Sequence, residues 1–557
     1  MPLPRVISSL FTCASPGFWR HTVAAAVTGA LLVFSFEPFN YSFLAWLALA
    51  PLLYVLSGGV GWRRAVWTGW LAGVIFFFLS TNWITHSMIQ FGGMLQPLAY
   101  GASFLFSSVA AIFPALFAII IAQLARSYGY RALLLAPFVW AATEWLRPLI
   151  TGASWNALGI TQVNFPLAHW ASVGGVYLLS WMIALASVLL VVWRRMVPQN
   201  TKFAIQFLIF SGIVFLASIF YVPVAPLFEF FGSVSSPVTV SVVAVQPDIP
   251  ISLYDSPNDA AQYLERTLRL TREAVSSAND QRADLIVWAE SPLILNYEED
   301  ETVRTRLNSL VQETGSHLIF NGIARDGERY FNSAQTLAPP GASGSVTQLR
   351  RYDKIRLVPF GEYVPFRRVL GYFVPAMVGD FTPGGQATVN TLRLRTQRAV
   401  IQNEEETGGD LGLERTTNFA RTSAFICYEA AYPNLVRQFV RNGATLLVNI
   451  SNDAWFGNTA GARQHLAHAR MRAIENDRAL IRVTNSGVSA LINARGRVVN
   501  ELPMFTATSA VWQARLNNQL TFYTRHGDWF AIACAIISAL AVALSFVSFA
   551  RKTGNHE

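Results

Sequence analysis

The chain has 557 residues, 52% hydrophobic and only 13% charged, against about 25% charged in an ordinary soluble protein, so much of it must face something other than water. Its formal net charge of +9 does not indicate nucleic acid, because Glu37 and Glu144 are the only acidic residues before Glu229. The positive excess belongs to an apolar half and reads as arginines at the ends of membrane spans, not as a phosphate-binding face.

Apolar stretches long enough to cross a bilayer, roughly 17–25 residues, fall near 21–37, 41–59, 65–86, 97–123, 132–150, 166–193, 203–222 and 529–550. Basic residues occupy alternate gaps: Arg5 and Arg20, Arg63 and Arg64, Arg126 and Arg131, Arg194 with Arg195 and Lys202, then Arg551 and Lys552. The short gaps between them, around 37–40, 87–96 and 148–165, contain no Lys or Arg. Positive residues favour the cytoplasmic side. The pattern therefore predicts eight spans, both termini inside, and the long segment between spans seven and eight outside. The first span lacks a small-residue cleavage pattern and reads as an anchor.

Residues 236–516 hold nearly all the acidic residues and alternate between strand and helix patterns. Short β-branched runs predict strands at Val238–Val245, Leu285–Trp288, Leu318–Ile323, Thr422–Ile426 and Thr445–Ile450. Helical spacing marks Asp259–Val275, 301–313, Asn434–Arg441 and 462–478, with hairpin strands following at Ala479–Asn493. Such alternation implies an α/β layered domain with a mostly buried sheet. Residues 401–418 read as a solvated insertion. The expected organisation is a seven-span transmembrane domain (1–224), an extracytoplasmic domain (236–516), an eighth span (527–550) and a cytoplasmic tail (551–557).

Three segments of the polar domain each place a reactive residue just after an apolar strand, where a loop can expose it. They are Asp284-Leu-Ile-Val-Trp-Ala-Glu290, Arg351-Tyr-Asp-Lys354 running on to Pro-Phe-Gly-Glu362-Tyr, and Thr422-Ser-Ala-Phe-Ile-Cys427-Tyr428-Glu429. Cys13 and Cys534 lie in the N-terminal segment and the last apolar stretch, so neither is placed to pair with Cys427 and no disulfide framework is expected. In the third segment a strand runs into Cys427 and Pro433 then opens a helix, a turn that exposes the sulfur and aims backbone N–H groups at an incoming carbonyl. A thiol needs a base or a nearby positive charge to react; Glu290 could be the base and Lys354 the charge that also steadies an oxyanion. Singly, each has a plainer role: a strand cap, a surface ammonium, a core thiol.

Together and in this order, the three segments closely resemble the Glu–Lys–Cys signature of the nitrilase (carbon–nitrogen hydrolase) superfamily. Asn449-Ile-Ser-Asn-Asp-Ala-Trp-Phe-Gly457 resembles the superfamily segment that follows the nucleophile. With spans on either side, the whole chain resembles the membrane branch of the superfamily, the apolipoprotein N-acyltransferases. Val245-Gln-Pro-Asp-Ile-Pro, Thr143-Glu-Trp-Leu-Arg147 and Thr521-Phe-Tyr-Thr-Arg-His-Gly match that branch as well.

The resemblance implies an α-β-β-α sandwich beside a polytopic helical membrane domain in a bacterial inner membrane, with the sandwich on the periplasmic side. It makes Glu290 the general base, Lys354 the oxyanion lysine and Cys427 the nucleophile, its sulfur ionised beside a carboxylate and an ammonium. Glu362 is the second glutamate, and Tyr428 and Glu429 flank the nucleophile. Glu429 would order a substrate loop or sit as a carboxylate at a helix start. The implied reaction moves an acyl chain from the sn-1 position of a phospholipid, phosphatidylethanolamine by preference, through a Cys427 thioester. The acceptor is the α-amino group of a diacylglyceryl-cysteine lipoprotein. No cofactor or metal is called for, and a monomer is expected.

One departure concerns the tryptophan the family carries after its Gln-x-x-Ile-Pro segment, where this chain has Tyr254 and Asp255. Tyr254 is the candidate for the corresponding lipid contact. Arg147 and Trp155 are further candidates for lipid binding, against a structural Glu144–Arg147 pair and an interfacial aromatic belt. His465 and His468 lack partners at metal-ligand spacing. Two rival functions use the same sequence: a membrane-tethered nitrilase-like amidase, and a non-enzymatic transporter or receptor. The spans show no repeat and few of the intramembrane charges transport needs.

Overall fold

The computed structural model describes residues 16–152, 154–199, 201–206, 209, 211–212, 238–251, 257–277, 283–290, 295–340, 349–364, 380–394 and 419–554. Tyr254 with Asp255, the insertion at 401–418, Cys13 and most of the 203–222 stretch lie outside them. The chain forms two compact units. One comprises Met1–Val234, Phe456–Ala467 and His526–Glu557; the other comprises Ser235–Trp455 and His468–Arg525.

The first unit is helical and apolar. Among the described residues four helical stretches, or five if a bent pair counts as one, are long and apolar enough to cross a membrane. That is fewer than the eight expected, for identifiable reasons. The 41–59 stretch is broken into Ser42–Leu44, Ala45–Ala48 and Ala50–Leu56. Pro51 has no N–H to give the carbonyl of Leu47, and the Leu52 N–H turns aside to Thr28 Oγ1 at 3.2 Å. The third expected span bends by 54° between Trp62–Ser80 and Trp83–Gln90. The fourth and fifth join in one apolar run, Gln96–Thr151, of 56 residues. A straight helix of that length would measure about 84 Å, far beyond the ~30 Å of bilayer hydrocarbon, so the run must turn back. It does so at Gly129, whose φ of +66° suits a residue without Cβ. Phe117 then meets Trp140 edge to face at 5.1 Å.

One side chain ties four segments of this unit together. Gln464 Oε1 accepts the indole N–H groups of Trp83 (3.1 Å) and Trp155 (2.8 Å), while its Nε2 donates to the carbonyls of Glu37 and Ser80, both at 2.9 Å. Two donors and two acceptors are the whole capacity of a glutamine amide.

The second unit contains two six-stranded sheets. Strands β1 (Thr239–Gln246), β2 (Leu285–Trp288), β3 (His317–Asp326), β4 (Arg329–Leu337), β5 (Leu349–Asp353) and β12 (Thr508–Arg515) form the first, in the order β12-β1-β2-β3-β4-β5. The second runs β11-β10-β9-β8-β7-β6, built from β6 (Asn390–Arg393), β7 (Phe419–Ile426), β8 (Leu446–Ser451), β9 (Leu480–Thr484), β10 (Ala490–Ile492) and β11 (Val498–Glu501). In each sheet three adjacent strands are parallel, β1-β2-β3 and β7-β8-β9, and the flanking pairs are antiparallel. The sheets pack face to face, β1 and β2 on β9 and β4 on β7. Outside the first sheet, helices Pro257–Ser277 and Glu301–Thr314 bury Leu264, Leu268, Leu307 and Leu310 with Val243, Ile286 and Phe320 of the strands. Outside the second, helix Pro433–Arg441 lays Phe439 on Phe425 of β7, ring centroids 6.1 Å apart. This is the α-β-β-α sandwich. The strands anticipated from sequence are present with bounds shifted by up to three residues.

Helix Glu301–Thr314 is set by its caps. Asp300 Oδ1 accepts the N–H groups of Thr302 (2.8 Å) and Val303 (3.1 Å), and Gly315 ends the helix in the left-handed conformation. Asp300→Ala should therefore cost about 1 kcal/mol of stability, seen as a lower thermal unfolding midpoint.

Candidate active site

Strand ends deliver the candidate residues, two from parallel strands and one from the antiparallel β5. Glu290 follows β2 by two residues, Cys427 follows β7 directly, and Lys354 follows β5 directly. All belong to the second unit, and all are buried: Glu290 is 9% exposed, Lys354 1% and Cys427 8%.

Lys354 is the electrostatic centre. Its Nζ donates to Glu362 Oε1 at 2.9 Å and reaches Glu290 Oε1 at 3.4 Å. Burial alone would pull the ammonium down, but Glu290 and Glu362 outweigh it and hold Lys354 above the ordinary lysine range. Its backbone is fixed as well, with the Lys354 N–H donating to the Asn332 carbonyl and the Gly384 N–H donating to the Lys354 carbonyl, both at 2.8 Å. Gly384 has no room for a side chain, since a Cβ there would lie 2.1 Å from the Asp353 carbonyl oxygen.

Glu362 is presented by the Pro-Phe-Gly-Glu-Tyr segment, a tight turn in which Phe360 takes φ +63° and donates its N–H to the Tyr363 carbonyl at 2.8 Å. Its second oxygen accepts the Val358 N–H at 2.8 Å. Asn332 on β4 links the two acids, its Nδ2 donating to Glu362 Oε1 at 2.6 Å and to Glu290 Oε1 at 3.1 Å. Glu290 Oε2 takes the Asn452 N–H at 3.0 Å.

Cys427 opens the short 3-10 turn Cys427–Ala431 with φ +51°. A non-glycine residue in that region is uncommon and persists where its surroundings over-determine it. Here Glu429 supplies the constraint. Its Oε2 accepts the Ile426 N–H at 2.8 Å, while Oε1 accepts the Tyr352 hydroxyl (2.7 Å) and the N–H groups of Ile355 (2.8 Å) and Arg356 (3.0 Å). Burial raises its carboxyl, opposed by those N–H groups. One carboxylate thus sits at the start of the nucleophile turn and against the loop after Lys354. Tyr428 stacks edge to face with Tyr432 at 5.2 Å.

Burial, reinforced by Glu290 and opposed by Lys354, pushes the Cys427 thiol up to about 12, against the ionised sulfur expected from sequence, because burial withdraws water that one shared ammonium does not replace.

The other candidates lie in the helical unit. Arg147 donates to the Trp155 carbonyl at 2.5 Å and sits 4.7 Å over the Phe77 ring, while Glu144 accepts the Leu158 N–H at 2.7 Å. Both side chains hold the 155–158 backbone, a structural role. Trp155 is 8% exposed, packed beside Trp83 and His465 at ring distances of 5.2 and 5.7 Å, so it is neither an interfacial belt residue nor an exposed lipid contact. Among the described residues no His, Cys, Asp and Glu side chains cluster in a way that could hold a metal ion. Sequence reasoning missed Asn332, which sits in a polar strand without motif or periodicity to mark it. If Glu362 is what keeps Lys354 in place, Glu362→Gln should slow acylation of Cys427 roughly 10- to 100-fold with the unfolding midpoint near wild type, as single-turnover kinetics would read.

The model of the apolipoprotein N-acyltransferase N-terminal domain matches residues 28–189, and that of the carbon-nitrogen hydrolases matches residues 240–521. The apolipoprotein N-acyltransferase of Geobacter metallireducens is 31% identical over 552 residues, covering 97% of each chain. That of Pseudomonas aeruginosa is 32% identical over 526 residues, covering 92% of this chain and 93% of its own. Among solved structures, a Saccharomyces cerevisiae protein of branch 10 of the nitrilase superfamily aligns with 51% of this chain and 92% of its own, at 16% identity and a TM-score of 0.34. From the match along nearly its whole length, and from the carbon-nitrogen hydrolase domain that carries the buried Glu–Lys–Cys group, this membrane protein belongs to the apolipoprotein N-acyltransferase family.

Proposed function

We propose that the chain transfers a fatty acyl group from a membrane phospholipid, through a thioester on Cys427, to the α-amino group of a diacylglyceryl-cysteine lipoprotein. The observation that carries this is a buried ammonium shared by two carboxylates beside a buried thiol, in a chain of this family. Glu290 takes the proton of Cys427 as the sulfur attacks the ester carbonyl. Lys354 and the Tyr428 N–H stabilise the oxyanion, a function whose loss costs about 10²- to 10³-fold per donor. Glu290 returns the proton to the departing lysophospholipid. In the second half-reaction the amine attacks the thioester, Glu290 accepts a proton from nitrogen, and the thiol is restored.

Transfer prevails over hydrolysis in this reading because the site is dry and its second substrate is an amine held at the same membrane surface. The alternating Lys and Arg residues support an inner-membrane protein of eight spans with both termini cytoplasmic and the sandwich periplasmic. Phosphatidylethanolamine as donor and a monomeric enzyme complete the proposal.

Mass spectrometry of the purified protein after exposure to phosphatidylethanolamine vesicles tests it. An acyl-sized increment on the Cys427 peptide, released by hydroxylamine, is expected, and a diacylated lipopeptide should discharge it as an N-acyl product. Release of fatty acid to water with no N-acylation would make the protein an amidase-like hydrolase instead. Cys427→Ala should abolish both the increment and the transfer.

A further inference from the structure

Besides Lys354 and Glu290, the nucleophile meets a second buried polar group. Strands β7 and β8 run parallel with Ile426 opposite Ile450, so Cys427 and Ser451 leave the sheet side by side. That register sets the Ser451 hydroxyl beside the Cys427 sulfur, where it favours the anion. Ser451 Oγ also donates to Asp453 Oδ1 at 2.8 Å. Arg482 grips that carboxylate from behind, its Nη2 lying 2.9 and 2.7 Å from the two oxygens, and its Nη1 donates to Asn449 Oδ1. Asn449 in turn donates to the carbonyls of Phe425 and Cys427. Ser451, Arg482 and Asn449 are 0% exposed and Asp453 1%. Nothing said so far of acyl transfer uses this ring.

A hydroxyl has one hydrogen and two lone pairs. In the resting enzyme the hydroxyl donates to Asp453, which as a carboxylate can only accept, and the S–H hydrogen is left for Glu290. Once the sulfur carries negative charge it becomes a strong acceptor, and a rotation about one bond turns the hydrogen onto it. Asp453 then loses a neutral donor but keeps both contacts from Arg482. The thioester sulfur is a poor acceptor, so the hydrogen swings back when the acyl-enzyme forms.

We propose that Ser451 is a catalytic residue: its hydroxyl donates to the Cys427 sulfur as an anion each time it appears, with Asp453 and Arg482 as positioning residues that hold the oxygen in place. The inference rests on the acyl-transfer reading above and deepens it. In the first half-reaction Glu290 removes the S–H proton, the S–C bond forms and the ester C–O bond breaks. In the second, the C–N bond forms, a proton passes from nitrogen to Glu290, the C–S bond breaks, and the electron pair stays on sulfur under the Ser451 hydrogen until Glu290 returns the proton. The charged groups facing the sulfur are Glu290 from the end of β2, Lys354 from the end of β5 and Asp453 after β8. Glu362 lies behind Lys354, Arg482 behind Asp453, and Glu429 on the nucleophile's own turn.

Alkylation of the full-length protein by iodoacetamide, read on the Cys427 peptide by mass spectrometry, tests this without any acyl donor. In the wild type the rate should climb with pH from about 7 to 11 as the thiolate fraction grows. Ser451→Ala should lower it roughly 10- to 100-fold across that range and slow discharge of a preformed acyl-enzyme to a diacylated lipopeptide by a similar factor. Ser451→Thr, which keeps the hydroxyl, should recover most of both. If the alanine variant does not fold, Ser451→Val against Ser451→Thr gives the same comparison at matched shape. Wild-type profiles in Ser451→Ala, or equal losses in the threonine variant and its hydroxyl-free counterpart, overturn the proposal. Failure of the wild type to form an acyl-enzyme would sink the acyl-transfer reading alone, since the alkylation series would still decide the part played by Ser451.

Discussion

A lysine ammonium with 1% of its surface exposed cannot be tolerated in a protein interior without compensating charge, and much of the catalytic unit is organised around that need. Lys354 receives two carboxylates, arriving from a strand end and from a tight turn. Those acids would repel each other without the cation between them and without Asn332 donating to both. The balance is then one positive and two negative charges, which leaves a single negative charge beside a thiol. That sign matters. It adds to burial in disfavouring a negative charge on the Cys427 sulfur.

Backbone constraint complements this charge balance. Cys427 occupies a left-handed conformation that a β-carbon disfavours, and Glu429 ties the turn down, accepting the Ile426 N–H with one oxygen and the N–H of Ile355 with the other. Since the same carboxylate grips the backbone at Ile355 and Arg356, the positions of nucleophile and lysine are set jointly. A shift in one loop is passed to the other through a single side chain.

Much of the site was legible in the sequence because its residues stand at strand ends. Apolar runs such as Leu285–Trp288 and Thr422–Ile426 identify themselves by composition, and the residues that follow them stand at strand ends. Asn332 was not legible. It sits within β4, where Arg329-Tyr-Phe-Asn-Ser mixes polar and aromatic residues and gives no clean alternation. Strands β11 and β12 were missed for a related reason, being half exposed and short of buried apolar positions. The membrane segments show the opposite limit. Hydropathy found the apolar stretches but not the effect of Pro51 on 41–59 or the bend between Ser80 and Trp83, which are local backbone events that a window average smooths away.

The saturated amide of Gln464 bears on how the helical unit is completed during synthesis. Trp83, Trp155 and the carbonyls of Glu37 and Ser80 are made long before residue 464 leaves the ribosome. Until then the four hydrogen bonds of that amide are missing, and the nascent bundle remains unfinished however many helices have inserted. A fragment ending near 224 would lack all four. The helical unit is thus a late assembly, closed by a stretch of chain that interrupts the sandwich.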